Sequence, residues 1–260
     1  MRPPTNRRRL LDAAALVLLT AGCSASTSTQ SEDLTDRSPA VANDDMSHLR
    51  RADSFDMHPN DLGRHIGRTI ASILADDAKS ASPAFKRSCA EADGAAIATA
   101  AVYLERGISG TGVTIPPGAA IRLVALAAYE SSCRPDVGGI ASDGDGAFVK
   151  SDFDDAGVTS FRLADGTLET PQEAGYGYTF GIGQLKYDIT ATVNERTPAG
   201  EWTCDTRSYL RGDVAMQVLC VAKVMGLAKG WDLASYNGSR NASTYEAKVK
   251  SLELALSRRL

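Results

Sequence analysis

Histidine is scarce in this 260-residue chain and confined to one end: His48, His58 and His65, with none after them. A Ser-His-Asp triad, a Cys-His pair or a His-ligated zinc in the second half would need one of these three to fold back. We read them as surface or tether residues, which leaves carboxylates to carry any chemistry. Excess positive charge is missing too. The 28 Lys and Arg are outnumbered by 32 Asp and Glu, no basic patch stands out, and no nucleic-acid partner is expected. The N-terminal apolar run, Ala13 to Ala21, is too short to span a bilayer as a stable helix.

That run follows four arginines within residues 1–9 and ends at Thr20-Ala21-Gly22-Cys23. A basic head, a short apolar stretch and small residues make residues 1–22 a signal peptide. Leu19 to Cys23 resembles a bacterial lipobox, which implies that Cys23 becomes a lipidated first residue and holds the protein to a membrane. Thr20 stands where such boxes usually have Leu, and Leu19 is displaced by one place. Without residues 1–22 the chain has 24 Lys and Arg against 31 Asp and Glu, a net charge of −7. Residues 23–59 are rich in Ser, Thr, Asp and Asn without a sustained hydrophobic period. Such a segment buries too little to offset chain entropy and reads as a disordered tether, with a reach of roughly 30 Å.

Residues 60–115 hold two helical stripes without visible chemistry. Asn60 reads as an N-cap before Leu62, Ile66, Ile70 and Ile73. Ser82-Pro83 opens a second helix carrying Phe85, Cys89, Ile97, Ala100, Tyr103 and Leu104, which stops near Gly107. Both are expected to pack on the domain that follows, 116–260.

That domain opens with an apolar stretch, Ile121 to Tyr129, broken only by Arg122. Its Ala and Leu content, the Pro116-Pro117 before it and Pro135 after it predict a helix buried on all sides. Glu130 sits at its C-terminal end, where the macrodipole disfavours negative charge and the apolar run limits water. Both raise a carboxyl pKa, as a group protonating a glycosidic oxygen requires.

Three stretches then recur in order: Glu130-Ser131-Ser132-Cys133-Arg134-Pro135, Gly181-Ile182-Gly183-Gln184-Leu185 and Ala234-Ser235-Tyr236-Asn237-Gly238. Together they resemble the signature of the lysozyme-like lytic transglycosylases, E-S-x-F-x-P, G-L-M-Q and A-Y-N-A-G. The resemblance covers roughly residues 116–252 and departs from the pattern at Cys133, Ile182 and Gly183. It implies that Glu130 is the catalytic acid and that peptidoglycan glycan strands are the substrate. Ser131, Gly181, Ile182, Gln184, Tyr236 and Asn237 would then line the substrate site. Tyr178 joins them, because a Tyr face stacks on sugar rings, while Gln184 can both donate to and accept from an N-acetyl group.

Glu130 and Gly181 are 51 positions apart, farther than in the family, so an insertion lies beside the presumed site. Within it, Phe161 to Glu169 reads as a β-hairpin turning at Asp165-Gly166. Asp143, Asp145, Asp152, Asp154 and Asp155 invite a calcium reading. The sixth place of an EF-hand loop counted from Asp143 is Phe148, not Gly, so the stretch reads as a solvated acidic loop. No metal or other cofactor is expected.

Besides Cys23 there are Cys89, Cys133, Cys204 and Cys220, an even number in a chain read as exported. Of three possible connectivities we expect Cys89 with Cys133 and Cys204 with Cys220. Asp213 reads as the cap of another helix. Ser243 to Glu246 reads as the capping box of the last one, whose buried stripe is Tyr245, Val249, Leu252 and Leu256. The expectation is a mainly α-helical α+β protein, lysozyme-like with a small β-hairpin insertion, exported and lipid-anchored. It would cleave between N-acetylmuramic acid and N-acetylglucosamine, leaving a 1,6-anhydro product. A hydrolysing lysozyme and a non-catalytic wall-binding module are the alternatives.

Overall fold

A computed structural model describes residues 46–77, 85–107, 110–141, 145–172, 177–237 and 242–260. Residues 1–22, read above as a signal peptide, and Cys23 lie outside them. The structure is built around α3 (Ala119–Ser131), in which every residue from Ala119 to Ala128 is buried. Little β-branching and no internal Gly or Pro favour this helix. Gly118 (φ 88°) leads into it, and Ser132 (φ 56°) and Cys133 (φ 59°) turn the chain out of it. The Cys133 N–H donates to the Ala127 carbonyl at 2.9 Å, closing the last turn before Pro135.

A helix buried all round needs cover on every side, and three helices supply it: α2 (Ala92–Glu105), α7 (Val214–Lys223) and α9 (Ala242–Ser257). Helix α1 (Pro59–Asp76) packs on α2. Two polar contacts fix α3 within this apolar shell. At its N-terminus the Glu105 carboxylate accepts the N–H groups of Gly118 (2.9 Å) and Ala120 (2.8 Å), with that of Ala52 at 2.6 Å. Helix-end donors are thereby satisfied where the macrodipole favours a negative charge. One turn further on, the enclosed Arg122 guanidinium donates to the equally enclosed Glu253 at 2.6 and 3.3 Å and to the Trp231 carbonyl at 2.7 Å. His48 reaches the same carboxylate from the solvent side at 3.6 Å.

After α3 the chain makes a four-stranded sheet: β1 (Val137–Ile140), β2 (Phe161–Leu163), β3 (Leu168–Glu169) and β4 (Tyr178–Phe180), in spatial order β3-β2-β1-β4. Strand β1 runs parallel to β2 and antiparallel to β4, pairing Gly139 with Thr179. The expected hairpin is β2–β3. Gly166 (φ 91°) makes its turn, and Asp165 accepts the Thr167 N–H at 2.8 Å. Phe148, Phe153, Phe161, Tyr178 and Phe180 fill the space behind the sheet. The chain returns through α5 (Tyr187–Glu195), α6 (Thr206–Leu210), α7, a π-helical turn (Val224–Ala228) and α8 (Leu233–Asn237) before α9. The protein is thus mainly α-helical, α+β.

Disulfides join Cys89 to Cys133 and Cys204 to Cys220. Asp213 caps α7 as expected, its side chain accepting the Met216 N–H at 3.0 Å. Other expectations need correction. The tether read through residue 59 is packed chain from Met46 onward, because the isolated apolar residues Met46, Leu49 and Ala52 are all buried. Helix α1 begins at Pro59 with His58, not Asn60, as its cap. Helix α2 begins at Ala92; Phe85 and Cys89 belong to the segment before it, and Ser82-Pro83 lies outside the described residues. The acidic stretch is partly α4 (Lys150–Ala156): Asp152 accepts the Val149 N–H at its first turn and Asp154 pairs with Lys150. Ser243 cannot cap α9, which already includes Ala242.

Candidate active site

Glu130 stands near the end of α3, where the helix leaves its apolar sheath. Solvent still touches the residue, but its carboxyl is surrounded closely enough that burial pushes its pKa up to about 7. The Tyr245 hydroxyl, donating at 2.5 Å, works in the opposite direction by favouring the ionised form. Burial wins. Tyr245 itself stays protonated, since burial and the nearby Glu130 charge both raise its phenol pKa. The result is a carboxyl group poised between its two states near neutrality, with a permanent hydrogen-bond donor beside it.

Three distant stretches of sequence meet here. The Tyr236 hydroxyl, from α8, donates to the Gly183 carbonyl at 2.8 Å, and the Tyr209 hydroxyl, from α6, donates to the Phe180 carbonyl at 2.6 Å. The charge of Glu130 raises the pKa of both phenols alongside burial. Buried Gln217 ties the turn after β4 to the loop after α3. Its Oε1 accepts the Ile182 N–H at 3.0 Å, and its Nε2 donates to the carbonyls of Pro135 (2.9 Å) and Tyr209 (2.8 Å). Gly181, at φ 76°, has no room for a side chain: a Cβ there would lie 2.8–2.9 Å from Gln217 and Tyr209.

Several residues expected to contact a ligand have other work. Gln184 donates both amide hydrogens, to the carbonyls of Val137 and Gly181 at 2.9 Å, and accepts from Thr179 at 2.8 Å. It braces the turn after β4 against β1. Tyr178 is fully buried against Phe153 and Phe161, so its face is closed to a sugar. Ser131 is buried and returns its hydroxyl to Ala127 of its own helix at 3.1 Å, and Ile182 is buried as well. Asn237 is the last residue of α8. The two disulfides make their cysteines structural, and Cys133 has no free thiol.

The residues that sequence reasoning missed are Tyr209, Gln217 and above all Tyr245, read only as part of an apolar stripe. A signal was present: a phenol among Val249, Leu252 and Leu256 brings a hydroxyl into the core, and a buried hydroxyl needs a partner. A hollow of about 860 Å³ lies at the other end of α3, lined by Met46, Leu49, Pro116, Pro117, Leu227 and Trp231. Among its described lining residues Arg51 is the one titratable group, and Asp53 holds it at 2.6 Å, so the hollow offers no acid or base. Among the described residues no group of three or more His, Cys, Asp or Glu is placed to hold a metal ion. No protein-family model matches this chain, and neither a curated protein nor a solved structure is similar to it at a significant level.

Proposed function

We propose that this protein cleaves the β-1,4 bond between N-acetylmuramic acid and N-acetylglucosamine in peptidoglycan, by the single-carboxylate route of the lytic transglycosylases it resembles. The observation that carries the reading is Glu130: a carboxyl lifted to about 7 by burial rather than by a second carboxylate, where three separate motifs converge. In that route Glu130 gives its proton to the glycosidic oxygen as the C1–O bond breaks. The substrate's own N-acetyl oxygen stabilises the electron-poor C1. Glu130, now a carboxylate held by Tyr245, takes the proton of the muramoyl 6-hydroxyl, whose oxygen closes on C1 as a 1,6-anhydro ring. No water is consumed and Glu130 ends protonated, as it began.

The test is mass spectrometry of digested peptidoglycan. Anhydro ends are expected from the wild type, and Glu130→Gln should lower turnover by roughly 10²–10⁴-fold without unfolding the protein. Reducing ends would replace the transglycosylase with a hydrolase. Undiminished cleavage by a folded Glu130→Gln protein would remove Glu130 from the mechanism, and a wild type without turnover would indicate a binding module. Export behind residues 1–22 and a lipid on Cys23 belong to the same reading, and membrane fractionation checks them.

A further inference from the structure

The substrate of that reading consists of N-acetylated sugars whose formal negative charges are all carboxylates. They are either the free lactyl group of a muramic acid without peptide or the acidic groups of a peptide amide-linked to that lactyl group. The structure holds an exposed cation linked to Glu130 through Tyr245 and Tyr129. Lys248 lies exposed on α9, one helical turn beyond Tyr245, with its Nζ 5.9 Å from the centroid of the Tyr129 ring. Among the described residues no carboxylate pairs with it, whereas Lys250, on the same helix, is held by Glu246 at 2.7 Å.

Tyr129 is the residue before Glu130. The residue is 37 % exposed, and its ring meets the Tyr245 ring edge-on at 5.0 Å. Glu130, Tyr245, Tyr129 and Lys248 therefore form one continuous line of contacts from the acid to solvent. The aromatic face steadies an ammonium group that would otherwise sweep freely on its four-carbon stem. Lys248 is not among the influences that set the Glu130 carboxyl, which are burial and Tyr245.

We propose that Lys248, steadied by Tyr129, is a specificity-determining residue that reads a carboxylate on the muramoyl unit, so that the site selects acidic glycan over neutral glycan. This rests on the glycan-cleaving reading above. The experiment measures Kd by titration calorimetry on the full chain carrying Glu130→Gln, which binds without consuming its ligand. Three ligands are compared: peptide-bearing strands, strands stripped of peptide that keep the lactyl carboxylate, and a neutral N-acetylglucosamine oligomer.

Adding Lys248→Gln should reduce the preference for acidic over neutral ligand by about two- to five-fold, as expected for an exposed ion pair. Lys248→Arg should restore it, and salt should erode it in the Lys248 protein. A loss confined to peptide-bearing strands assigns the carboxylate to the peptide; a loss confined to stripped strands, whose lactyl group is a free acid instead of an amide, assigns it to the lactyl group; a loss in both shows that Lys248 reads either. A preference that Lys248→Gln leaves unchanged overturns the proposal, as does one lost equally in Lys248→Arg. If no ligand of the three binds, the glycan-cleaving reading fails and the subsite falls with it.

Discussion

Two carboxylates meet the environment of α3 in opposite ways. Glu253, fully enclosed, faces the Arg122 guanidinium at 2.6 and 3.3 Å. Glu130, at the far end of the same helix, faces the neutral hydroxyl of Tyr245 at 2.5 Å, and burial alone lifts its pKa to about 7. Both are held by short hydrogen bonds in a largely apolar surrounding. What separates them is the counter-charge. An ion pair commits a carboxylate to holding helices together, whereas a neutral donor leaves it a proton to give.

Removing the counter-charge is the most disruptive way to test this contrast. Arg122→Met leaves Glu253 enclosed without its guanidinium and should lower stability by about 3–5 kcal/mol. A urea midpoint within experimental error of the wild type would show that the pair is no strut. Glu130→Gln sharpens the contrast from the other side. Below about pH 4.5 the carboxyl is neutral both folded and unfolded. Between there and about 7 only the unfolded chain ionises, so stability is lost as pH rises. The loss reaches about 3 kcal/mol above the folded pKa, an upper bound because solvent touches the residue. Glutamine cannot ionise, so Glu130→Gln should be more stable than the wild type at pH 8 and match it at pH 4. Thermal melts at the two pH values decide it, and a mutant less stable at pH 8 would contradict the assignment. The smallest effect is expected from Tyr245→Phe. This removes the hydrogen bond that lowers the Glu130 pKa, so the alkaline limb of kcat/KM against pH should move upward. A downward shift would mean that the phenol supports the protonated acid instead.

Where local chemistry dictates structure, the sequence is legible. The Ala- and Leu-rich run around Arg122 becomes the buried helix, Asp165-Gly166 turns the hairpin, and Asp213 caps α7. Reading fails where distant partners decide. Met46, Leu49 and Ala52 look like stray apolar residues in a polar leader, yet each is buried. Helix α4 is short and acidic, and its apolar Phe153 finds the Phe161 and Tyr178 rings only in three dimensions. In the candidate site, Glu130 stands out because its helix end is a local feature. Tyr245 comes to it across 115 positions of chain. Gln184 and Ser131 show the opposite failure: chemistry suited to a ligand is satisfied by backbone nearby.

Helix α3 is pinned at three places along its 13 residues, a length of about 20 Å. Glu105 grips its first turn, Arg122 bolts it to α9, and the Cys89–Cys133 bridge anchors the chain just past its end, with the Ser88 hydroxyl clamped on the Ser132 carbonyl. A rod fixed at both ends and along its shaft can neither slide nor roll. Glu130 is therefore a stationary tooth: any adjustment of reach falls to rotation of its own side chain, and whatever takes its proton has to be brought into register with it.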